Sequence, residues 1–342
     1  MRNATIVGTG MYAPDRVIKN EYFNDLYKKD IDTFLRTQRN ITERRWMETS
    51  QRTSDLILPA AEEAMKNAGI TAKDLDFIIV ATDTPDYLSP STASVVSFRL
   101  GAVNAGTFDL NSACAGFVTA LDVGNKFIKS DTQFKNILVV GAYAMSKWLN
   151  FDDYKIASLF ADGAGAAVLR ATENSMPEGP GSEKASGFLT SVFLTQGQYH
   201  DYMGLYAGGS YKPVSHEVIE NKEHLLAFPK RIPPETNGIY WPKLTHLILD
   251  KIGKKPTDVN HFFITQFNVQ SIYETLDKLN LPHEKAHYIM DKYGYTGSAS
   301  VGMCLADAVR KHKLKKKDLV IMLGSGGGMS MAALAMEWGY DT

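Results

Sequence analysis

Cys114 is the residue of this 342-residue chain that is best placed to do chemistry. It lies in the segment Asp109-Leu-Asn-Ser-Ala-Cys114-Ala-Gly-Phe, where a predicted strand ends in small residues and a helix begins. The free N–H groups and positive dipole end of a helix stabilise a thiolate, so we expect a lowered thiol pKa there. A free cysteine is more often a small buried hydrophobe. The strand-to-helix position favours a nucleophile instead.

The remaining candidate ligands do not form a cofactor site. Cys304 lies in the apolar helical stretch Val301-Gly-Met-Cys-Leu-Ala and is interpreted as a core residue. No group of His, Cys and carboxylate residues has the spacing of metal ligands. The glycine run 324–328 follows a predicted strand but lacks the dinucleotide-binding fingerprint. We therefore predict no metal and no bound cofactor.

The composition excludes several classes of partner. Lys and Arg number 37 against 38 Asp and Glu, so no overall positive field attracts nucleic acid or an anionic membrane. No apolar run reaches the roughly 18 residues of a membrane span, and the N-terminus lacks the apolar core of a signal peptide. Two cysteines give no disulfide framework. We predict a cytoplasmic protein without a membrane span or a nucleic-acid partner.

Two parts of the chain show the same alternation of buried strands and amphipathic helices. In the first part, we predict helices at 54–68, 92–100 and 115–129 and strands at 77–82, 109–113 and 136–141. In the second part, we predict helices at 242–251, 269–279 and 300–310 and strands at 261–265 and 318–323. This alternation is typical of an α/β fold with a mainly parallel sheet covered on both faces. The repetition indicates a duplicated α/β unit.

We divide the chain into three segments. Residues 1–175 form an N-terminal half that carries Cys114, and residues 236–342 form a C-terminal half. Residues 176–235 are interpreted as an irregular insertion or linker. Its beginning, 173–187, is rich in Pro, Gly and Ser and reads as a loop. The stretch 191–234 has weak periodicity and many aromatic residues, which suggests a cap or a substrate-lining segment.

Five motifs, in order and spacing, extend over essentially the whole chain. They are Ile6-Val-Gly-Thr-Gly-Met-Tyr-Ala-Pro14, Ile41-Thr-Glu-Arg44, Ser112-Ala-Cys-Ala-Gly-Phe117, Asp162-Gly-Ala-Gly-Ala-Ala-Val-Leu169 and Gly326-Gly-Gly-Met. Together they resemble the 3-oxoacyl-acyl-carrier-protein synthase III family of thiolase-like condensing enzymes. The resemblance implies a thiolase-like fold, in which the duplicated unit builds α-β-α-β-α layers.

The resemblance also implies a reaction and a set of partners. Cys114 would take an acyl group from acyl-CoA or an acyl-carrier thioester, forming a covalent intermediate. A malonyl thioester would then lose carbon dioxide and attack this intermediate, in fatty-acid or polyketide-like synthesis. The backbone N–H groups of Cys114 and Gly327 would form the oxyanion hole. The family also implies a homodimer and contact with an acyl carrier protein.

Two catalytic positions depart from the family pattern. Thr265, in Ile264-Thr-Gln-Phe-Asn268, stands where the family has a catalytic histidine. Tyr295, in Tyr293-Gly-Tyr-Thr296, stands where the family has an asparagine. Losing one preorganised donor commonly costs about 10²–10³ in rate, so decarboxylation is in doubt. The two hydroxyls can still donate hydrogen bonds and form a weaker second oxyanion site, although neither is a base near neutral pH. His200 or His216 is the alternative partner for the thiol.

Further positions concern the substrate. By resemblance, Phe267 and Asn268 belong to the substrate-binding segment, and Gln270 replaces an arginine that contacts the carrier protein. Ser89 lies where several family members have a phenylalanine that limits acyl length. The smaller side chain either opens room for a longer acyl group, or Tyr87 or Leu88 refills the space.

Three functions remain open from the sequence. The first is decarboxylative condensation on Cys114. The second is acyl transfer to an alcohol, amine, thiol or water without decarboxylation, which retains the nucleophile and glycines but not the family pair. The third is a non-catalytic partner of a true synthase, and the retained cysteine argues against it.

Overall fold

Two five-stranded sheets form the centre of the molecule. The computed structural model describes residues 2–173 and 186–342. Its strands are β1 (Arg2–Tyr12), β2 (Val17–Lys19), β3 (Glu43–Arg45), β4 (Phe77–Ala81), β5 (Gly106–Leu110), β6 (Asn136–Ala144), β7 (Asp162–Glu173), β8 (Gly187–Thr195), β9 (His261–Ile264), β10 (Ala286–His287), β11 (Leu319–Gly326) and β12 (Ser330–Glu337). The first sheet has the order β1-β7-β6-β4-β5, the second has the order β10-β9-β11-β12-β8, and β2 pairs with β3.

Helices cover both sheets and separate them. They are α1 (Asn20–Tyr27), α2 (Asp32–Phe34), α3 (Thr53–Ala68), α4 (Thr92–Leu100), α5 (Gly116–Ser130), α6 (Tyr154–Ala157), α7 (His216–Glu220), α8 (Thr236–Asp250), α9 (Val269–Lys278), α10 (Met290–Tyr293) and α11 (Ser300–Arg310), and α2 continues as the π-helix Leu35–Arg39. The central helices α5 and α11 contact strands of both sheets, α3 packs on the first sheet and α8 on the second. The predicted α-β-α-β-α layering is therefore confirmed.

The strands β4 and β6 next to the site are buried because both faces of their sheet are covered, whereas the edge strand β5 is only half-buried. In β4, every residue from Ile78 to Ala81 is buried, and β4 pairs in parallel with β5 and β6. Such strands read as continuous apolar runs rather than alternating ones. Parallel pairing places the carboxyl ends of β4, β5 and β6 at one edge, where the chain continues into loops. The residues that follow these three strands therefore lie close together.

The two halves repeat one topology. In each sheet the antiparallel strands lie to one side of three parallel strands, and β8 takes the place in the second sheet that β1 takes in the first. The predicted irregular character of residues 176–235 is therefore wrong for Gly187–Thr195, which pairs with β12 over its whole length. The loop predicted at 173–187 lies mostly outside the described residues. The division of the chain at 175 and 236 stays a prediction.

Most predicted helices are found at the predicted places, and one begins earlier. α3 ends at Gly69 with φ 66°, the left-handed C-cap that the sequence indicated. α8 begins at Thr236, six residues before the predicted start at Pro242. Proline is favoured at the first turn of a helix, which is why the sequence suggested the later start. Over residues 2–173 and 186–342, no helix has the length and apolar character needed to cross a membrane.

Candidate active site

Cys114 lies on a tight turn between β5 and α5. Ala113 has φ 44°, which is uncommon for a residue with a Cβ, and its N–H donates to Asn111 Oδ1 at 3.0 Å. α5 begins at Gly116 with Ala115 as its N-cap, so Cys114 comes just before the helix rather than in its first turn. The turn holds the cysteine at the carboxyl edge of the first sheet.

Two glycines of β11 let its backbone lie directly beside this turn. A Cβ on Gly326 would lie 2.4 Å from the Cys114 nitrogen, and one on Gly324 would lie 2.8 Å from Ala115 Cα. No side chain fits at either position. Gly327 follows at the start of the 3₁₀ turn Gly327–Met329. Its assignment to an oxyanion hole stays a prediction.

The thiol of Cys114 is neutral in the unloaded protein. The residue is 2% exposed, and burial raises its pKa to about 12, with a smaller contribution from the negative charge of Asp83. Hydrogen bonds from Tyr295 and from the Cys114 backbone N–H lower the pKa but do not offset the burial. The prediction of a lowered thiol pKa is therefore wrong for this state. The free-energy cost of removing the thiolate from water exceeds the stabilisation that the N-terminal end of the helix provides.

Tyr295 is the side chain that contacts the sulfur. Its hydroxyl donates a hydrogen bond to Cys114, and burial raises the tyrosine pKa well above its usual range, so the hydroxyl keeps its proton. Its backbone N–H donates to Leu159 O at 3.0 Å, and its ring lies 5.1 Å from Phe267 and 5.4 Å from Phe160. These contacts fix the tyrosine against the Cys114 thiol.

Thr265 is close by but already engaged with the backbone. Its Oγ1 accepts a hydrogen bond from the Ser325 N–H at 2.9 Å and lies 3.5 Å from Leu323 O. Ser325 Oγ in turn donates to Asn237 Oδ1 at 3.1 Å. The Thr265 hydroxyl therefore ties the end of β9 to β11. The predicted use of this hydroxyl as a donor to substrate requires that its contact with Leu323 be broken.

A cavity of about 950 Å³ leads from the surface to this group. Its inner wall includes Thr265, Tyr295, Ser325 and Gly326, and the last of these packs on Cys114. Four other lining residues carry positive charge, namely Arg39, Lys155, Lys230 and Arg231, against one carboxylate, Asp153. The cavity thus joins a mainly cationic mouth to two residues that contact Cys114, and Cys114 itself is not among the lining residues.

The predicted histidine partners do not reach the cavity. Among the described residues that line it, none is a histidine. His200 and His216 are exposed and lie outside the lining. The structure therefore does not supply a histidine in place of the one missing from the sequence.

The predicted substrate-binding residues divide into two groups. Phe267 and Asn268 line the cavity, and Asn268 Oδ1 accepts the Gln270 N–H at 3.0 Å, which caps α9. Ser89 lies instead on an exposed loop after β4 and does not line the cavity. The neighbouring Tyr87 and Leu88 are exposed as well, so neither refills an acyl site within this chain.

Asp83 is a site residue that the sequence analysis missed. It follows β4 by two residues, and its Oδ1 is buried without a hydrogen-bond partner. Burial raises the carboxyl pKa to about 6, and its charge acts on Cys114, Tyr143 and Tyr295. A polar residue at the carboxyl end of a strand beside the one that leads to Cys114 was the available signal.

Comparison with known proteins gives the family. The chain is 34% identical over 335 residues to beta-ketoacyl-[acyl-carrier-protein] synthase III of Caldanaerobacter subterraneus subsp. tengcongensis, covering 98% of both chains. It belongs to the 3-oxoacyl-[acyl-carrier-protein] synthase III family. The synthase III family model matches residues 108–187, and the synthase III C-terminal model matches residues 249–338. The Clostridioides difficile synthase III is 35% identical, also over 335 residues and 98% of both chains.

Solved structures of synthase III proteins have the same fold. The crystal structure of the Aquifex aeolicus 3-oxoacyl-[acyl-carrier-protein] synthase III superposes with a TM-score of 0.85 at 30% identity, covering 98% of this chain and all of that one. The Pseudomonas aeruginosa synthase III superposes with a TM-score of 0.88 at 26% identity and covers 99% of both chains. Membership of the synthase III family confirms the predicted thiolase-like fold and makes the protein an enzyme of the acyltransferase class.

Proposed function

We propose that this synthase III protein loads an acyl group from a thioester onto Cys114 and transfers it to a malonyl thioester. The observation that supports the proposal most directly is the cavity, which runs from a cationic mouth to the residues packed on the thiol. A family member that had lost its chemistry would not need to retain a cysteine packed against the inner wall of such a cavity. The cavity thus argues against a purely non-catalytic partner.

The charged mouth suits a phosphate-bearing carrier of the acyl group. Burial lowers the Arg39 pKa, and so does the positive charge of Arg231. An anion between the two guanidinium groups would relieve this repulsion and form charge-assisted hydrogen bonds. Arg39 also lies 4.9 Å over the Phe267 ring, which holds it at the entrance. Coenzyme A and a phosphopantetheine-bearing carrier protein both present phosphate, and both are proposed as donors.

The loading step is a thiol exchange at a carbonyl. The sulfur of Cys114 attacks the thioester carbon, the new S–C bond forms, and the bond to the carrier sulfur breaks. The backbone N–H groups of Cys114 and Gly327 are proposed to stabilise the negative charge on the carbonyl oxygen. Aromatic and aliphatic residues of the cavity, including Phe228, Ile232 and Met329, provide apolar surface along the path.

The second step distinguishes two versions of the function. Tyr295 is proposed as a donor to the malonyl thioester oxygen once Cys114 is acylated, because its hydroxyl then loses the sulfur as a strong acceptor. Thr265 is less available, since its Oγ1 is bound to β11. Thr265 is thus engaged, and no histidine is among the described residues that line the cavity. Both observations favour a second candidate function, an acyl transfer that does not require decarboxylation.

We propose a cytoplasmic enzyme that uses acyl-CoA or acyl carrier protein and needs no bound cofactor. We also propose a homodimer. The apolar side chains of Leu88, Phe98 and Val103 are 83%, 87% and 78% exposed and lie in the segment that leads into the edge strand β5, where a second copy could bury them.

One experiment tests both steps. The protein is incubated with acyl-CoAs of increasing chain length, and intact-mass measurement records the added acyl group. The Cys114→Ala and Cys304→Ala variants serve as matched controls, since only the first should abolish the adduct. Malonyl-CoA or malonyl carrier protein is then added, and carbon dioxide release is measured. Adduct and carbon dioxide together support condensation, adduct alone supports the second candidate, and no adduct with any donor overturns the proposal.

A further inference from the structure

The loops at the carboxyl edge of the first sheet place a carboxyl group beside the nucleophile. β4 and β5 pair in parallel with Ala81 opposite Leu110, and β4 and β6 pair with Ala81 opposite Gly141. Asp83 and Tyr143 each lie two residues beyond these partners, and Cys114 follows on the turn after β5. Asp83 and Tyr143 therefore leave adjacent strands at one level. Cys114 lies four residues beyond Leu110, close enough for the Asp83 charge to act on it, and Tyr295 approaches from the second half.

The Asp83 loop is held by hydrogen bonds to its neighbours on both sides. Thr84 Oγ1 accepts the Ala144 N–H at 2.9 Å, and Asp86 Oδ1 accepts the Ser54 N–H at 2.9 Å. Thr53 Oγ1 also donates to the carbonyl of Thr84. These contacts fix the backbone after Asp83, and the Thr82 N–H, which donates to Leu110 O at 3.1 Å, fixes the backbone before it. The carboxyl is therefore presented to the site by a braced loop.

The Asp83 carboxyl itself has an unused acceptor. Its Oδ1 is removed from solvent and has no hydrogen-bond partner, which is a costly arrangement unless the group serves a purpose. The neighbouring Asp86 also has one buried oxygen without a hydrogen-bond partner, Oδ2, but that oxygen lies 3.6 Å from the Arg52 guanidinium, and its Oδ1 accepts the Ser54 N–H. Asp83 accepts a hydrogen bond from its own backbone N–H and has no comparable ion pair among the described residues.

We propose that Asp83 is the general base that accepts the thiol proton of Cys114 during acyl loading, in place of the absent histidine. As the S–C bond forms, the proton passes from the sulfur to the Asp83 carboxylate. The bond to the carrier sulfur breaks, and the leaving thiolate takes the proton from Asp83. The cycle returns a carboxylate and a free carrier thiol, with no change of oxidation state. This inference rests on the loading step of the proposed function.

The acid–base properties of the group are compatible with this role. Burial raises the Asp83 pKa to about 6, so the carboxyl is ionised above that pH, and a base that titrates near the working pH is the most effective. The groups that face it are Cys114, Tyr143 and Tyr295, whose pKa values burial raises to about 12 or above their usual ranges. On its own loop, Asp86 is paired with Arg52. The facing groups therefore remain protonated while Asp83 titrates.

The negative charge of Asp83, although it would assist acyl loading, makes ionisation of the free thiol less favourable. Asp83 raises the Cys114 pKa, so the ionised carboxyl disfavours a pre-formed thiolate. A base that accepts the proton during the attack does not have this disadvantage, because the total charge of Cys114 and Asp83 stays the same as the proton is transferred. Removal of the carboxyl should therefore have opposite consequences for the two reactions of the sulfur. Reaction with an alkylating agent, which requires the thiolate, should accelerate, and acyl loading should slow.

The test compares Asp83→Asn with Asp86→Asn, which removes the same charge from the same loop. Single-turnover loading from acyl-CoA and alkylation by iodoacetamide are both followed by intact mass. We expect loading by Asp83→Asn to fall by about 10²-fold or more, the usual contribution of a general base, while its alkylation becomes faster. Asp86→Asn should retain the wild-type loading rate. Asp83→Glu, which keeps a carboxyl, should retain part of the loading.

The pH profile of the wild type gives a second, independent readout. With Asp83 as base, the loading rate should rise up to about pH 6 and then level off between pH 7 and 9. A reaction through free thiolate would instead rise about tenfold per pH unit across that range, because the thiol pKa is about 12. That slope, or an Asp83→Asn variant that loads as fast as the wild type, overturns the inference. If the wild type forms no adduct at all, the proposed function fails instead.

Discussion

At the scale of single residues, the ionisation of Cys114 is controlled by what surrounds the thiol rather than by the helix that follows it. Burial raises the Cys114 pKa to about 12, and the Tyr295 hydroxyl is the side-chain donor that acts in the opposite direction. A hydrogen bond to a charged acceptor is worth about 1.5–3 kcal/mol, and about 1.4 kcal/mol changes an equilibrium tenfold. Tyr295 should therefore decide how readily the sulfur ionises.

We predict that Tyr295→Phe slows alkylation of Cys114 by iodoacetamide about tenfold or more at a fixed pH between 7 and 9. The variant loses the donor that stabilises the thiolate, so the thiol pKa rises further and less thiolate is present. Tyr293→Phe, which removes a hydroxyl from the neighbouring α10, is the matched control and should react like the wild type. An unchanged or faster reaction of Tyr295→Phe would show that the hydroxyl does not act on the sulfur.

The sequence predicted which residues matter at this scale better than it predicted what they do. Cys114, Tyr295 and Thr265 are brought together at one site, as the resemblance to the synthase III family implied. The pKa of Cys114 could not be predicted, because desolvation depends on the packing of both halves. Thr265 could not be recognised as engaged, since its partner Ser325 lies 60 residues away in the chain.

At the scale of elements, β11 shapes the site because two of its residues have no side chain. Gly324 and Gly326 bring its backbone against the turn that carries Cys114, with no room for a Cβ. The glycine run therefore has a packing role in addition to any contact with substrate. Glycine is required here because the two backbones approach closely and not because of its backbone conformation, since Gly326 has an extended φ of −156° that any residue can adopt.

We predict that Gly326→Ala destabilises the protein by about 1–3 kcal/mol, the usual cost of overpacking a well-filled site. The new methyl would lie 2.4 Å from the Cys114 nitrogen, so β11 or the turn must shift. Denaturant unfolding measures the loss. Gly197→Ala, where no atom lies within 4 Å of the new Cβ, should stay within about 0.5 kcal/mol of the wild type. Equal stability of the two variants would contradict the close approach.

The elements that the sequence located well are those with strong local signals. α11 and α3 have apolar periodicity, and the Gly69 C-cap marks the end of α3. β8 was missed because its side chains are mostly half-buried or exposed, so it has no continuous apolar run. Its position becomes clear only when it pairs with β12, more than 130 residues later in the chain.

At the scale of the whole molecule, duplication places two equivalent loop positions at one site. Asp83 follows β4, and Thr265 follows β9, the strand that has the same place in the second sheet. Cys114 lies between β5 and α5, and Tyr295 lies between their counterparts β10 and α11. The first half thus contributes the thiol of Cys114 and a carboxyl, and the second half contributes two hydroxyls. The alternation in the sequence predicted the duplication, whereas the pairing of these loops required the packed structure.

We predict that the protein is a dimer in solution, with a mass twice the 37.9 kDa of the chain by light scattering. β5 is an edge strand, and Phe98 and Val103 are exposed in the segment before it, so association would both pair the edge and bury apolar surface. The double variant Phe98→Glu, Val103→Glu should dissociate to the monomer mass. Tyr211→Glu, at a side chain that is 84% exposed, should leave the mass unchanged. A wild-type monomer would refute the dimer.

The burial of Cys114 also bears on how the enzyme survives between turnovers. Peroxide and disulfide reagents attack the ionised form of cysteine, and a sulfur that keeps its proton reacts with them slowly. With Asp83 nearby and little solvent contact, the resting sulfur is held in its least oxidisable form. The burial for which we propose a proton acceptor in acyl loading would therefore also slow oxidation of the thiol between turnovers.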